Sequence, residues 1–113
     1  MKTIQKMGAQ GDVMFFRSEI PNDATEQKVA GRIVVAHSET GHHHAIDLEP
    51  VPRVHLFAGK DPFTCYLRIT AEYADVVHHR PHDTHETVRL WHGDWAVRRQ
   101  REYAPEGYRR VED

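Results

Sequence analysis

The sequence predicts a single all-β domain that folds as a small antiparallel barrel or a two-sheet roll, with at most one or two short helices. Three observations support this fold class. Short runs rich in Val, Ile, Phe, Tyr or Trp recur along the chain, turn-forming residues separate them, and hardly any segment shows helical periodicity. The chain of 113 residues, 39% hydrophobic and 28% charged, has the size and composition of one globular domain. We therefore assign residues 1–113 to one β domain and expect its termini to fray.

Strand character is recognised by β-branched and aromatic residues between turn signals. In the run 64–70, Tyr66 and Arg68 alternate with three apolar side chains, so one face of this strand is predicted to be buried and the other solvated. Antiparallel strands in this number commonly close on themselves, because closure removes exposed edges. The predicted strands are 13–17, 32–37, 53–58, 64–70, 74–78, 86–90 and 95–99.

Turns and helices complete the predicted element order. Gly, Asp and Pro at 59–62 and Gly and Asp at 92–94 favour hairpin connections. Only two segments can hold two helical turns: 23–30, which is polar and ends at a glycine, and 105–111, which opens with a proline. Neither has an apolar stripe wide enough to organise a core.

Composition excludes several classes of protein. The longest apolar runs, 13–16 and 33–36, have four residues, whereas a membrane span needs about 20, so we expect no membrane partner. No apolar stretch follows the basic N-terminus, which argues against a secretory signal. Cys65 is the single cysteine; it predicts a reducing, cytoplasmic location and a small buried side chain. The net charge of −2 gives no global reason to bind nucleic acid.

Histidine is the outlier, with ten residues of which seven lie in the stretches 42–44 and 78–85. On an extended chain His42 and His44 share a face with Cα atoms roughly 6.6 Å apart, and His43 points the other way. Their imidazoles can converge on one ion at about 2.0 to 2.1 Å per bond. The pair His82 and His85 in the second stretch can supply the remaining ligands from a tight turn or bulge.

Alternatives to this ligand set stay open. His78 or His79 can replace His82, because Pro81 makes the local path hard to predict. A solvated polar stretch would also explain clustered histidines. The isolated histidines His37, His55 and His92 fit hydrogen-bonded structural roles better than metal ligation.

Ligand type indicates the metal. Imidazole suits Zn, Ni, Cu or Fe(II), with Zn as the default, and disfavours Ca and Mg, which prefer oxygen. Three protein nitrogens would leave a coordination position for water or substrate, whereas four would close the site. The carboxylates that could join as ligand or base are Glu49, Asp83 and Glu86.

The segment 42–49, with the spacing HxH followed after four residues by Glu, resembles the first motif of the cupins. In that family the two histidines and the glutamate bind a metal inside a small β-barrel. The resemblance therefore implies a cupin-like barrel with His42, His44 and Glu49 at the metal.

A broader resemblance spans most of the chain. Gln10-Gly11-Asp12-Val13, Gly41-His42-His43-His44, His82-Asp83-Thr84-His85 and Arg99-Gln100-Arg101-Glu102-Tyr103 follow one another in the order seen in small uncharacterised bacterial and phage proteins with GHxH, HxxH and QREY signatures. This likeness implies no particular reaction. It favours His42, His44, His82 and His85 as the paired positions.

The basic C-terminal end suggests a function of another class. Arginine next to aromatic rings is typical of single-stranded nucleic-acid surfaces, although the acidic residues interspersed there favour an internally paired surface. A protein partner is the other option for this end. The residues concerned are Arg98, Arg99, Arg101, Tyr103, Tyr108, Arg109 and Arg110.

The leading hypothesis is a metal-binding β-barrel protein with one divalent transition metal held by His42, His44, His82 and His85. Catalysis on a small molecule is an extension of it, with an apolar wall and a proton shuttle but no assigned catalytic residue. A non-enzymatic binding module and a pH-responsive structural protein of a bacterial or phage assembly are the alternatives, and a homo-oligomer is compatible with each. The candidate wall residues are Phe57, Tyr66 and Trp91, and the candidate shuttles are Glu49 and Glu86.

Overall fold

The computed structural model of the chain describes residues 1–36, 43–48, 53–79, 86–99, 101–104 and 107–110. All regular structure within these ranges is β-strand, which confirms the predicted all-β class. The strands are β1 (Lys2–Ile4), β2 (Met7–Gln10), β3 (Val13–Arg17), β4 (Thr25–Gln27), β5 (Arg32–Ala36), β6 (His43–Asp47), β7 (Val54–Ala58), β8 (Thr64–His79), β9 (Val88–Arg99), β10 (Arg101–Ala104) and β11 (Gly107–Arg110).

Nine of these strands form one sheet with the central order β2-β3-β9-β8-β6-β5. β7 pairs with β8 and carries β4 at its outer edge, and β1 runs parallel to the first part of β9. The described strands leave the sheet open instead of closing it into a barrel. β10 and β11 form a separate antiparallel hairpin.

The long strands β8 and β9 determine the shape of the sheet. Each merges two strands that the sequence predicts separately, and the register between them shifts between Ile69 and Tyr73. Gly93 lies opposite Ile69 with a φ of 125°, a conformation that L residues with side chains rarely adopt. The hairpin predicted at 92–94 is therefore wrong, because this glycine accommodates an irregularity inside one continuous strand.

Side-chain hydrogen bonds connect the two halves of the sheet across its interior. β7 pairs with the first half of β8 and β6 with its last three residues. The side-chain amide of Gln10, on β2, donates hydrogen bonds across the interior to the carbonyls of Val76 and Glu86 at 3.0 and 2.9 Å. The thiol of Cys65 likewise reaches the Val35 carbonyl at 3.6 Å. The interior between the two halves therefore holds both the apolar core and several buried polar side chains.

Apolar side chains from both halves fill this core. Trp95 is fully buried, and its indole N–H donates to the Trp91 carbonyl at 2.8 Å. Burying such a large side chain stabilises the fold by about 3 kcal/mol. The other large side chains that are fully buried include Phe15, Ile33, Leu67, Ile69 and Leu90.

Two segments predicted as possible helices form strands instead. The segment 23–30 contains β4, which pairs with β7, and 107–110 of the second segment is β11. Both segments lack an apolar stripe, so a helix formed by either would bury little apolar surface. Pairing with a neighbouring strand instead supplies hydrogen-bond partners for the backbone. The first dozen residues, for which we predict fraying, contain β1 and β2. No described helix is long and apolar enough to cross a bilayer.

Candidate functional site

Strand pairing places the described histidines His43, His44, His78 and His79 at one end of the sheet. Ala36 at the end of β5 is the partner of His44, and His43 at the start of β6 is the partner of His79 at the end of β8. The connections from Ala36 to His43 and from His79 to Glu86 therefore begin and end there. Eight of the ten histidines belong to these strand ends or connections: His37, His42, His43, His44, His78, His79, His82 and His85.

His44 is the centre of a buried hydrogen-bond network. Its side chain is fully buried, and Nδ1 lies 2.8 Å from Oε1 of Gln10. The Nε2 group of Gln10 donates to the Val76 and Glu86 carbonyls, so Oε1 is the acceptor facing the imidazole. We therefore assign a proton to Nδ1. A histidine that binds metal through one ring nitrogen is commonly held in this way through the other.

A buried ion pair approaches the same imidazole. Gly11 takes a positive φ of 59° in the tight connection between β2 and β3, and Asp12 follows it with a fully buried side chain. Asp12 Oδ2 accepts a hydrogen bond from Arg99 Nε at 3.1 Å. Its Oδ1 lies 3.8 Å from His44 Nε2. The network thus contains a carboxylate near Nε2 of His44 and a guanidinium bound to that carboxylate.

His78 completes this group, which we call the buried polar cluster: Gln10, Asp12, His44, His78 and Arg99. Its ring stacks on that of His44 with centroids 4.3 Å apart and an angle of 22° between planes. His78, one of the two alternatives to His82, therefore contacts His44. The near-parallel stack differs from the convergent arrangement of two ligands of one ion.

Most of the predicted ligand set lies outside the described residues. This is true of His42, His82 and His85 and of the carboxylates Glu49 and Asp83. Across the ranges that the structure describes, no group of three or more ligating side chains is arranged to hold a metal. Of the four predicted ligands, His44 is the one that lies within the described ranges.

The predicted proton shuttle and wall residues lie elsewhere. Glu86 contributes its carbonyl to the network, while its exposed carboxylate lies 3.2 Å from the N-terminal amine. Phe57 and Tyr66 are cross-strand partners on the face opposite to the buried Leu67, so they line no wall beside His44. Trp91 makes an edge contact with Tyr73 on the neighbouring strand.

Two of the isolated histidines, His55 and His92, have hydrogen-bond partners, and the third, His37, lies outside the described residues. His55 Nδ1 lies 3.0 Å from Glu26 Oε2, and His92 Nδ1 lies 3.0 Å from the Ala71 carbonyl, as structural roles require. Burial raises the pKa of the Cys65 thiol to about 12, which makes it a poor nucleophile and a poor metal ligand at neutral pH.

Two cavities adjoin the fold without reaching His44. One of about 270 Å³ is bordered by Asp47, Arg53 and Tyr73, and another of about 130 Å³ by Cys65 and Arg99. Both are smaller than the roughly 300 to 1,000 Å³ of sites for drug-sized ligands. A substrate pocket next to the histidine is therefore not among these two cavities.

Sequence reasoning missed three members of the buried polar cluster as site residues: Gln10, Asp12 and Arg99. Arg99 was predicted for an exposed basic surface, but it is only 8% exposed because it pairs with the buried Asp12. The available signal was the segment Gln10-Gly11-Asp12, in which two polar residues flank a glycine at the edge of an apolar strand.

Comparison with known proteins gives a family and no activity. Neither the curated proteins nor the solved structures contain a match to this chain. The model of a domain of unknown function (DUF8820) matches residues 9–100, a range that includes the whole buried polar cluster and stops before the β10–β11 hairpin. Because the match covers most of its length, the chain belongs to the DUF8820 family.

Proposed function

We propose that this protein binds one divalent transition metal at the histidine-rich end of its sheet, through His44 together with His42, His82 and His85. The observation that carries the proposal is the hydrogen bond of 2.8 Å between His44 Nδ1 and Gln10, because a metal-binding histidine is commonly held in this way through its second ring nitrogen.

Chain connectivity supports the other three ligands. His42 immediately precedes His43, the first residue of β6, and His85 immediately precedes Glu86. The carbonyl of Glu86 is hydrogen-bonded to the same Gln10 side chain that holds His44. His82 is three residues from the end of β8, a distance of at most about 11 Å along the chain. Each of the three is thus at most three residues along the chain from a described residue, namely His43, His79 or Glu86.

Imidazole ligands favour zinc, with nickel, iron or copper as alternatives. The ligands bind as neutral rings, so the proposal requires metal release in acid. A cytoplasmic location accompanies the proposal, because Cys65 is the single cysteine and a reducing compartment keeps it a thiol. Three protein nitrogens would leave a position for a small-molecule substrate, and four would make the metal structural.

The test is the metal content of the untagged full chain after purification at neutral pH, followed by zinc titration of the metal-free protein. We expect about one ion per chain for the wild type and a large loss in His42→Ala/His44→Ala. The matched control is His55→Ala/His92→Ala, which also removes two histidines but at sites distant in the sheet. Unchanged content near one ion in the first double variant would refute the ligand assignment.

A second candidate function rests on the C-terminal hairpin. The register of β10 and β11 pairs Arg101 with Arg110 and Tyr103 with Tyr108. A ribbon in which arginine pairs and tyrosine pairs follow one another suits a single-stranded nucleic acid, whose phosphates attract arginine and whose bases stack on aromatic rings. Binding to a random single strand that weakens steeply with salt would support this candidate. No retention at low ionic strength would end it.

A further inference from the structure

We infer that the cavity between β6, β7 and β8 binds a small aromatic carboxylic acid. The inference goes beyond the proposed metal binding and concerns another part of the sheet. Every residue that lines this cavity lies within the described ranges, and none of them is a proposed metal ligand.

Strand pairing explains why a cavity lies at this place. β8 pairs with β7 up to Ile69 and with β6 from Val77 onward. Between these two pairings no described strand lies against this edge of β8, and five residues of β8 border a cavity of about 270 Å³. An apolar cavity of about 150 Å³ is large enough to bind benzene, so this one has room for a ring that carries a carboxylate.

The walls of the cavity favour an aromatic body for the ligand. Tyr73 borders it with a side chain that is 40% exposed, the most exposed aromatic side chain among the described residues. The guanidinium of Arg89 lies 3.7 Å from the centre of this ring and holds it in position. Aromatic rings pack well on one another in offset or edge contacts. The remaining walls are mostly apolar and come from Ile46, Leu48, Val54, Ala71, Ala74 and Val77.

The charges around the cavity favour an anion. Two carboxylates border it, but each is paired with an arginine outside the lining. Asp47 accepts a hydrogen bond from Arg32 at 2.7 Å, and Asp75 accepts one from Arg89 at 2.8 Å. Arg53 also borders the cavity, and no described residue forms an ion pair or hydrogen bond with its guanidinium. This unpaired positive charge beside apolar walls suits the carboxylate of a small aromatic acid.

The experiment titrates benzoate, benzamide and benzylamine separately into the ¹⁵N-labelled full chain at low ionic strength and follows the backbone amide signals. The three probes share a ring and differ in charge. We expect benzoate to shift the signals of Ala71, Ala74 and Val77 and to bind about threefold to fivefold more tightly than benzamide, as one exposed ion pair provides. Tighter binding of benzylamine than of benzoate would overturn the inference, because the two aspartates would then outweigh Arg53. No shift of these signals with any probe would also overturn it.

Two variants assign the carboxylate to Arg53. Arg53→Gln keeps a long polar side chain and removes the charge, so it should lower the affinity for benzoate to that for benzamide. The matched control is Arg98→Gln, which removes the charge of an exposed arginine that does not border the cavity and should leave the preference for benzoate intact. A preference that survives Arg53→Gln, or that both variants reduce equally, would overturn the inference.

A third variant tests whether the ring enters the cavity. Ala71→Leu adds three carbon atoms at a half-buried position of the lining, so it should weaken the binding of benzoate and benzamide alike. Unchanged binding of both probes would place them outside the cavity and overturn the inference. None of these outcomes involves the metal, so the proposed function is tested separately.

Discussion

Replacing Gln10 by alanine should remove the connection that holds the two halves of the sheet together around His44. The Gln10 side chain is 2% exposed and makes three hydrogen bonds, to the Val76 carbonyl, to the Glu86 carbonyl and to His44 Nδ1. Each bond contributes about 1 kcal/mol net, and each buried group left without its partner adds to the loss. We expect Gln10→Ala to lower the free energy of unfolding by about 3 to 5 kcal/mol, a large part of the roughly 5 to 15 kcal/mol available to a domain.

The assay is urea unfolding of the metal-free protein, so that a change in metal affinity does not enter the result. Gln27→Ala is the matched control, because its amide makes one exposed bond of 2.8 Å to the Thr25 carbonyl and should contribute less than about 0.5 kcal/mol. A loss below about 1 kcal/mol for Gln10→Ala would refute the reasoning, since it would mean that water or other groups replace all three bonds. The same variant should also weaken metal binding, because the His44 tautomer is no longer fixed.

Three further predictions concern the core, the irregularity at Gly93 and the cysteine. Trp95→Ala should cost about 3 to 5 kcal/mol in urea unfolding, because the ring is fully buried; a loss under about 1 kcal/mol would contradict its place in the core. Gly93→Ala should lower the free energy of unfolding by about 1 to 3 kcal/mol, which is more than the loss for Gly31→Ala. Both glycines have a positive φ, but only at Gly93 would a Cβ meet the Arg17 guanidinium. Equal losses for the two variants would contradict this contact. The pKa of Cys65 is raised from 9.0 in the unfolded chain to about 12 in the fold, so its contribution to stability is complete below pH 9 and is lost as pH rises toward 12. A thiol reagent at pH 8 should accordingly label unfolded but not folded protein, and fast labelling of the fold would contradict the burial.

The sequence by itself determined the all-β class and much of the strand inventory. Strand β3 covers the predicted run 13–17, and the turn signals at 59–62 separate β7 from β8 as predicted. These features depend on neighbours in the chain: alternating apolar residues, β-branched side chains, and turn residues between them. Such local preferences act within a few residues and leave a visible pattern.

Local patterns failed where pairing with a distant strand decided the outcome. The glycine at 93 reads as a turn from its neighbours, yet pairing with β8 keeps β9 continuous through it. The polar segment 23–30 reads as a possible helix, yet β7 offers it an edge. In both places the hydrogen bonds come from a strand far away in the sequence, and no local signal contains them.

The candidate site shows the same division. The histidine excess and the choice of His44 as a candidate ligand came from the sequence, because clustering and strand spacing are local. The buried polar cluster was decided by the tertiary structure alone. Gln10 meets His44 across 34 residues and Asp12 meets Arg99 across 87, because strand pairing brings these distant segments together. Contacts of that range depend on the register of several strands at once, which is why only the folded chain shows them.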